Sequence, residues 1–161
     1  MRRAAFLLAV MAFGCGGDAT VDPDGGRPAA LTTDQGVEYS AETLIMESFP
    51  VQLRTVVTVK NVGDSSVRLS FPDGCVVLLR AYREGSSAAA WDQGNTVMCT
   101  GAFVEVDLAP GATRTFETST DAAAILGDTL PDGRYRLVAY LRPTSGEVAL
   151  DAGSADLAIH R

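Results

Sequence analysis

Histidine and lysine are almost missing from this chain of 161 residues, which has one of each, His160 and Lys60. A lone histidine at the tail leaves Ser-His-Asp and Cys-His chemistry without a well-placed base, and a histidine-rich metal site without a second imidazole. Positive charge is also scarce: the formal net charge is -7. That removes the basic footprint needed for nucleic acid or anionic headgroups. GxSxG, HExxH, Walker and GxGxxG patterns are absent, so the sequence points to no catalytic residues, no metal and no cofactor. The longest uninterrupted apolar run, Ala4 to Phe13, is well short of the roughly 20 residues of a spanning helix.

That run has another use. Arg2 and Arg3 precede it, and the small residues Ala12 and Gly14 sit at the spacing a signal peptidase reads ahead of Cys15. Residues 1–14 are therefore expected to be a signal peptide. The stretch Ala12-Phe13-Gly14-Cys15 resembles the lipobox of bacterial lipoproteins, in which the cysteine sulfur receives a diacylglycerol before cleavage. The resemblance implies that Cys15 is lipidated and that the protein is anchored by lipid to a bacterial membrane in the cell envelope, facing the periplasm or the exterior. Ala12 stands where the family usually has Leu, and Phe13 where it has a small residue; cleavage without lipid is the alternative. Two or three acyl chains, each contributing about 0.8 kcal/mol per buried methylene, hold a protein far more firmly than one.

There are three cysteines, an odd number. With Cys15 lipidated, Cys75 and Cys99 form a pair in an oxidising compartment, where a disulfide forms and persists. Two buried free thiols are the other possibility. The closed loop of about 25 residues would contribute roughly 3.5 kcal/mol in the chain-entropy treatment.

Residues 15–36 are dominated by Gly, Pro, Asp and Thr and lack apolar periodicity, which predicts a flexible linker behind the lipid anchor. Pulled straight it would reach about 70 Å. Asp22-Pro23-Asp24-Gly25 superficially suggests a calcium loop, but the later ligands and the closing glutamate are missing, so a solvated tether is the better reading.

Residues 37–161 are expected to form the folded domain, and within them the period becomes two. In VQLRTVVTVKN, Val51, Leu53, Thr55, Val57 and Val59 share one face, while Gln52, Arg54, Thr58 and Lys60 lie on the other. Val67, Leu69 and Phe71 alternate with Arg68 and Ser70, and CVVLLRAYR is apolar on both faces, as in a central strand. AFVEVDL, TRTFETS and RYRLVAYL follow, with a last strand through Leu157 and Ile159. Only Asp121 to Leu126 reads as helix. The expectation is an all-β, immunoglobulin-like antiparallel β-sandwich of about 7–8 strands.

In Leu130-Pro131-Asp132-Gly133-Arg134-Tyr135, a turn leads into a tyrosine at a strand start, the arrangement of a tyrosine corner. Tyr135 is expected to bond back to an upstream backbone group, with Gly133 allowing close approach. Trp91 is expected to be core rather than a ligand platform.

TVKN at 58–61, SVRLSF at 66–71, AAWD at 89–92, LAPGATRTFE at 108–117 and LPDGRYRLVAYL at 130–141 resemble the BsuPI-type intracellular proteinase inhibitor domain, itself an immunoglobulin-like sandwich. The likeness spans about residues 51–142. It departs from the family after the Trp, where this chain has TVMCTGAF with a cysteine inside it. The resemblance implies the fold first, and a proteinase partner second. Glu105 and Asp107 share the solvent face of one strand, unlike carboxylates flanking a sugar, so an enzyme is not expected. Two functions are carried forward: a non-catalytic envelope module that binds a protein partner, and an extracytoplasmic proteinase inhibitor. In either, the candidate binding loop lies within residues 85–101 and includes Asp92, Gln93, Asn95 and Met98, stiffened by Cys99.

Overall fold

The structure, a computed structural model, describes residues 32–34 and 36–159. The signal peptide at 1–14, the lipidation site Cys15, most of the linker and His160 lie outside the described residues.

The linker reading ran to residue 36, but β1 (Thr32–Asp34) already belongs to the sheet, pairing antiparallel with β2 (Val37–Met46) around a turn at Gly36, where φ is 79°. That positive φ is one glycine adopts without strain. Then follow β3 (Gln52–Asn61), β4 (Val67–Phe71), β5 (Val77–Arg83), β6 (Trp91–Asp92), β7 (Val104–Leu108), β8 (Thr113–Asp121), a short helix α1 (Ala122–Leu126), β9 (Gly133–Leu141) and β10 (Val148–Leu157). One sheet has the order β1-β2-β3-β8, the other β10-β9-β5-β6, and β4 and β7 form a separate antiparallel pair. This is an antiparallel β-sandwich, as the alternating sequence required.

The alternation of β3 translates directly into burial. Leu53, Thr55, Val57 and Val59 are buried, while Arg54 and Lys60 face solvent. They meet Leu79 and Ala81 of β5 and Tyr135, Leu137, Ala139 and Leu141 of β9 in one core, each aliphatic side chain contributing roughly 1.5–3 kcal/mol by leaving water. Thr55 is tolerated there because its hydroxyl meets that of Thr43 at 2.9 Å. From Leu137 onward β9 is buried on both faces, since Val138 and Tyr140 are covered on the side away from this core, whereas Arg134 and Arg136 before them are exposed.

The helix α1 starts where Asp121 accepts a bond from the Ala124 N–H at 2.7 Å, an N-cap that satisfies one of the free amides of the first turn. Glu105 and Asp107 lie outward on β7 opposite β4, and Arg68 donates to Asp107 at 2.6 Å. Exposed pairs of this kind stabilise little.

One turn residue carries more than turn chemistry. Asn61 is fully buried at the end of β3; its amide donates to Ser65 O at 2.8 Å and Leu108 O at 2.9 Å, while its Oδ1 accepts from the Gly63 N–H at 2.9 Å. The residue thereby ties the β3–β4 turn to the end of β7. Asn61→Ala removes all three bonds; the Gly63 N–H keeps Gly36 O at 3.2 Å, while the Ser65 and Leu108 carbonyls lose their side-chain donor, an expected cost of about 1–3 kcal/mol read as a lower urea midpoint at unchanged slope.

Candidate functional site

Between β5 and β7 the chain makes a 3-10 turn (Gln93–Asn95) and then runs without regular structure to β7. The segment divides into a structural half and a presented half.

The structural half corrects the expected binding loop. Trp91 and Asp92 are not in a loop but pair with Ala81 and Arg80 of β5. Asp92 accepts from Arg80 Nε at 2.9 Å, from the Tyr140 hydroxyl at 2.6 Å and from the Gly94 N–H at 2.9 Å. Arg80 also donates to Glu147 at 2.6 Å and stacks over the Tyr140 ring at 3.8 Å. Gln93 is buried: its Oε1 accepts from the Leu79 N–H and the Thr118 hydroxyl, both at 3.0 Å, and its amide donates to Ser119 O at 3.2 Å. It bridges the edges of the two sheets. Neither Asp92 nor Gln93 is free to meet a partner, because the turn folds over the outer side chains of β5 and β9. A side chain on Gly94 would strike the Tyr140 hydroxyl, 2.6 Å from its Cβ position.

The electrostatics follow from the same packing. Burial pushes the Asp92 carboxyl up, but the bonds from Arg80, Tyr140 and Gly94 outweigh it and hold the group below the ordinary carboxylate range. Arg80 is held above its ordinary value, chiefly by Glu147 against the opposing effect of burial. The Tyr140 phenol is pushed up from 10.0 to about 12 by burial first, then by its bond to Asp92 and that residue's charge. A raised phenol favours the neutral form in the fold, so its contribution is complete below pH 10 and is lost as pH rises through about 12. Wild-type protein is therefore expected to lose its stability advantage over Tyr140→Phe across that window, measured by denaturant titration at stepped pH.

Trp91 packs its ring against the core, and its Nε1 is buried without a hydrogen-bond partner. Tyr135 is buried at the start of β9 and donates to Pro131 O at 2.7 Å, closing a corner. Gly133 supports that corner for a reason other than close approach. A Cβ there would meet nothing within 4 Å, whereas φ is 151°, which side chains rarely adopt.

The presented half is residues 96–103. Val97 is exposed, Phe103 is 71% exposed, and Met98 is 101% exposed, with its whole side chain in solvent; the candidate Asn95 is exposed too but ends the 3-10 turn ahead of this segment. Cys99 is joined to Cys75 by a disulfide, with the Cα atoms 5.3 Å apart, well within the ordinary range for such a bond. Beside it the Gly74 N–H donates to Thr100 O at 3.0 Å, and a Cβ on Gly74 would lie 2.2 Å from Thr100 Oγ1. The two segments are thus in close contact. A groove of about 310 Å³ lies alongside, lined by Cys75, Val76, Val97, Phe116 and Glu117 among others. Asp73 and the two cysteines come close enough to suggest a metal cluster, but both sulfurs are in the disulfide.

A second apolar exposure was not anticipated. At the β2–β3 hairpin Leu44, Ile45, Met46 and Phe49 are each about half exposed, with 49% the highest value. The run LIMESF is visible in the sequence, but β2 itself was not assigned there, so its outward end had no place.

Residues 37–146 match the family described as BsuPI, intracellular proteinase inhibitor. No curated protein matches the chain. Among solved structures it is similar to a β-glucosidase from Kluyveromyces marxianus, at 12% identity and a TM-score of 0.43, covering 76% of this chain and 14% of that one. It is also similar to a β-glucosidase from Listeria innocua in complex with glucose, at 15% identity and a TM-score of 0.38, covering 73% of this chain and 16% of that one. A β-glucosidase involved in saponin metabolism from intestinal bacteria gives 15% identity and a TM-score of 0.40, over 74% and 16%. The chain spans less than a fifth of the length of these enzymes, and no activity is transferred from them.

Proposed function

The chain belongs to the BsuPI intracellular proteinase inhibitor family, and from that premise we propose that it is a non-catalytic module that captures a proteinase through residues 96–103 while carried on a cell-envelope lipoprotein. The observation that carries this reading is the fully exposed Met98 directly before a disulfide-bonded cysteine. Inhibitors need a convex segment that resists rearrangement, since a preorganised loop loses less conformational freedom on binding. The family's description places its members inside cells, whereas the leader and the Cys75–Cys99 bond favour an oxidising compartment outside the cytoplasm. Lipidation of Cys15 would hold the domain there.

The test is titration of the purified, oxidised protein against serine, cysteine and metallo-proteinases, with residues 96–103 scrambled around an unmoved Cys99 as the comparison. Stoichiometric inhibition lost on scrambling is the expected result. The hairpin cluster of Leu44, Ile45, Met46 and Phe49 favours a second reading, a plain binding module for another envelope protein. Inhibition that survives scrambling and disappears with serines at those four positions would put that surface ahead. Export with a labelled fatty acid checks the anchor: label is expected on Cys15 and absent from Cys15→Ser.

A further inference from the structure

Resting on the reading of residues 96–103 as the proteinase-binding segment, we propose that Met98 is the residue that enters the primary specificity pocket, that the pocket is apolar, and that Met98–Cys99 is the bond offered for cleavage.

The geometry singles out Met98 because the chain is pinned on both sides of it. On the N-terminal side, the Thr96 and Val97 N–H groups donate to Gln93 O at 2.9 and 3.0 Å, and the Thr96 hydroxyl donates to the same oxygen at 3.0 Å. Gln93 is itself fixed to both sheets. On the C-terminal side, Cys99 is bonded to Cys75 at the approach to β5, and Thr100 O accepts from the Gly74 N–H. Only Met98 stands between these anchors with its side chain wholly in solvent. Its neighbour Val97 is 38% exposed and faces the groove.

The chemistry of the segment selects the partner. Residues 96–103 read TVMCTGAF and contain no charged side chain. A pocket with a buried carboxylate, built for lysine or arginine, would be left with an unpaired charge against a thioether, and a cationic pocket likewise. An unbranched methionine fits a deep, narrow apolar pocket and gains from every methylene removed from water.

The disulfide has a further consequence. Slow attack by the bound proteinase would add one water across the Met98–Cys99 peptide bond, leaving a Met98 carboxylate and a Cys99 ammonium. The two pieces of the mature chain, 15–98 and 99–161, would still be joined through Cys75 and Cys99. The new ends would stay at high effective concentration and remain seated on the proteinase.

The oxidised protein and Met98→Lys are each incubated with a proteinase of apolar primary specificity, one specific for basic residues and one specific for acidic residues. Wild type is expected to inhibit the first alone. Met98→Lys is expected to lose on the order of a hundredfold there and to gain inhibition of the basic-specific enzyme. After long incubation, gels run without reductant should show one species, and reduction should release two, one beginning at Cys99. An inhibition profile unmoved by Met98→Lys, in protein of unchanged melting temperature, or cleavage at another bond overturns the Met98 assignment and leaves the segment's role standing. Absence of inhibition in wild type, or inhibition that survives scrambling of 96–103, overturns both.

Discussion

Replacing Tyr135 by alanine is expected to cost the domain about 3–5 kcal/mol, the range for removing a large aromatic from a close-packed core. The ring is buried, and its hydroxyl closes the corner onto Pro131 O at 2.7 Å. Those two contributions separate experimentally. Tyr135→Phe keeps the ring and removes only the bond, so it should cost about 1 kcal/mol. The position matters beyond its own contacts because β9 lies between β10 and β5. A cavity at the start of β9 loosens both neighbours at once. Denaturant titration of the two variants gives the comparison, and an alanine variant with an unchanged midpoint would contradict the packing described for this residue.

How much of this could be read without a structure depended on whether burial kept the two-residue period. In β3, β4, β7 and the core face of β9 it did: Leu53, Val57 and Val59, or Leu69 and Phe71, face one core on every second residue. The doubly apolar run of β5 reads as a central strand, and it pairs with β9 and β6. In β10 the period is broken by a register shift between Asp151 and Ser154, where Gly153 has a φ of 93°. The bulge moves Leu150 and Ala155 onto one face at odd spacing, so the sequence marked the strand only at its end, through Leu157 and Ile159, whereas β10 runs Val148–Leu157 and stops before Ile159. In β2 the inward set Val37, Tyr39 and Ala41 stops before Leu44, and the hairpin then exposes apolar residues that a pattern-based reading places inside.

The candidate site divided along the same line. The cysteine pair was legible because two thiols in an exported chain are read locally, and the exposure of Met98 agrees with a long interruption between strands. The roles of Asp92 and Gln93 were not. Their burial is created by a turn that folds back over Leu78 and Tyr140, a tertiary event with no period in the sequence. Polarity alone placed them in solvent, but each has three hydrogen-bond partners inside the protein.

Removing the disulfide is the other change expected to have a large effect, and it should separate stability from presentation. Cys75 and Cys99 are 24 residues apart, and releasing that cross-link returns roughly 3.5 kcal/mol of chain entropy to the unfolded state. The double variant Cys75→Ala, Cys99→Ala should therefore melt markedly lower, and reduction of the wild type should reproduce the shift. The core strands retain their hydrophobic contacts, so the folded variant is expected to keep its far-UV spectrum below the transition. Presentation is affected separately. With the cross-link gone, the carbonyl of Thr100 is held by the single bond from Gly74 at 3.0 Å, and the segment around Met98 gains rotamers that binding must remove again. Ordering a side chain costs about 0.5–1.5 kcal/mol, so a few freed residues should weaken proteinase capture on the order of tenfold to a hundredfold even at temperatures where the variant is fully folded. Measuring affinity well below the melting point distinguishes the two effects: an unchanged affinity there would mean that the bond stabilises the sandwich without shaping its binding segment.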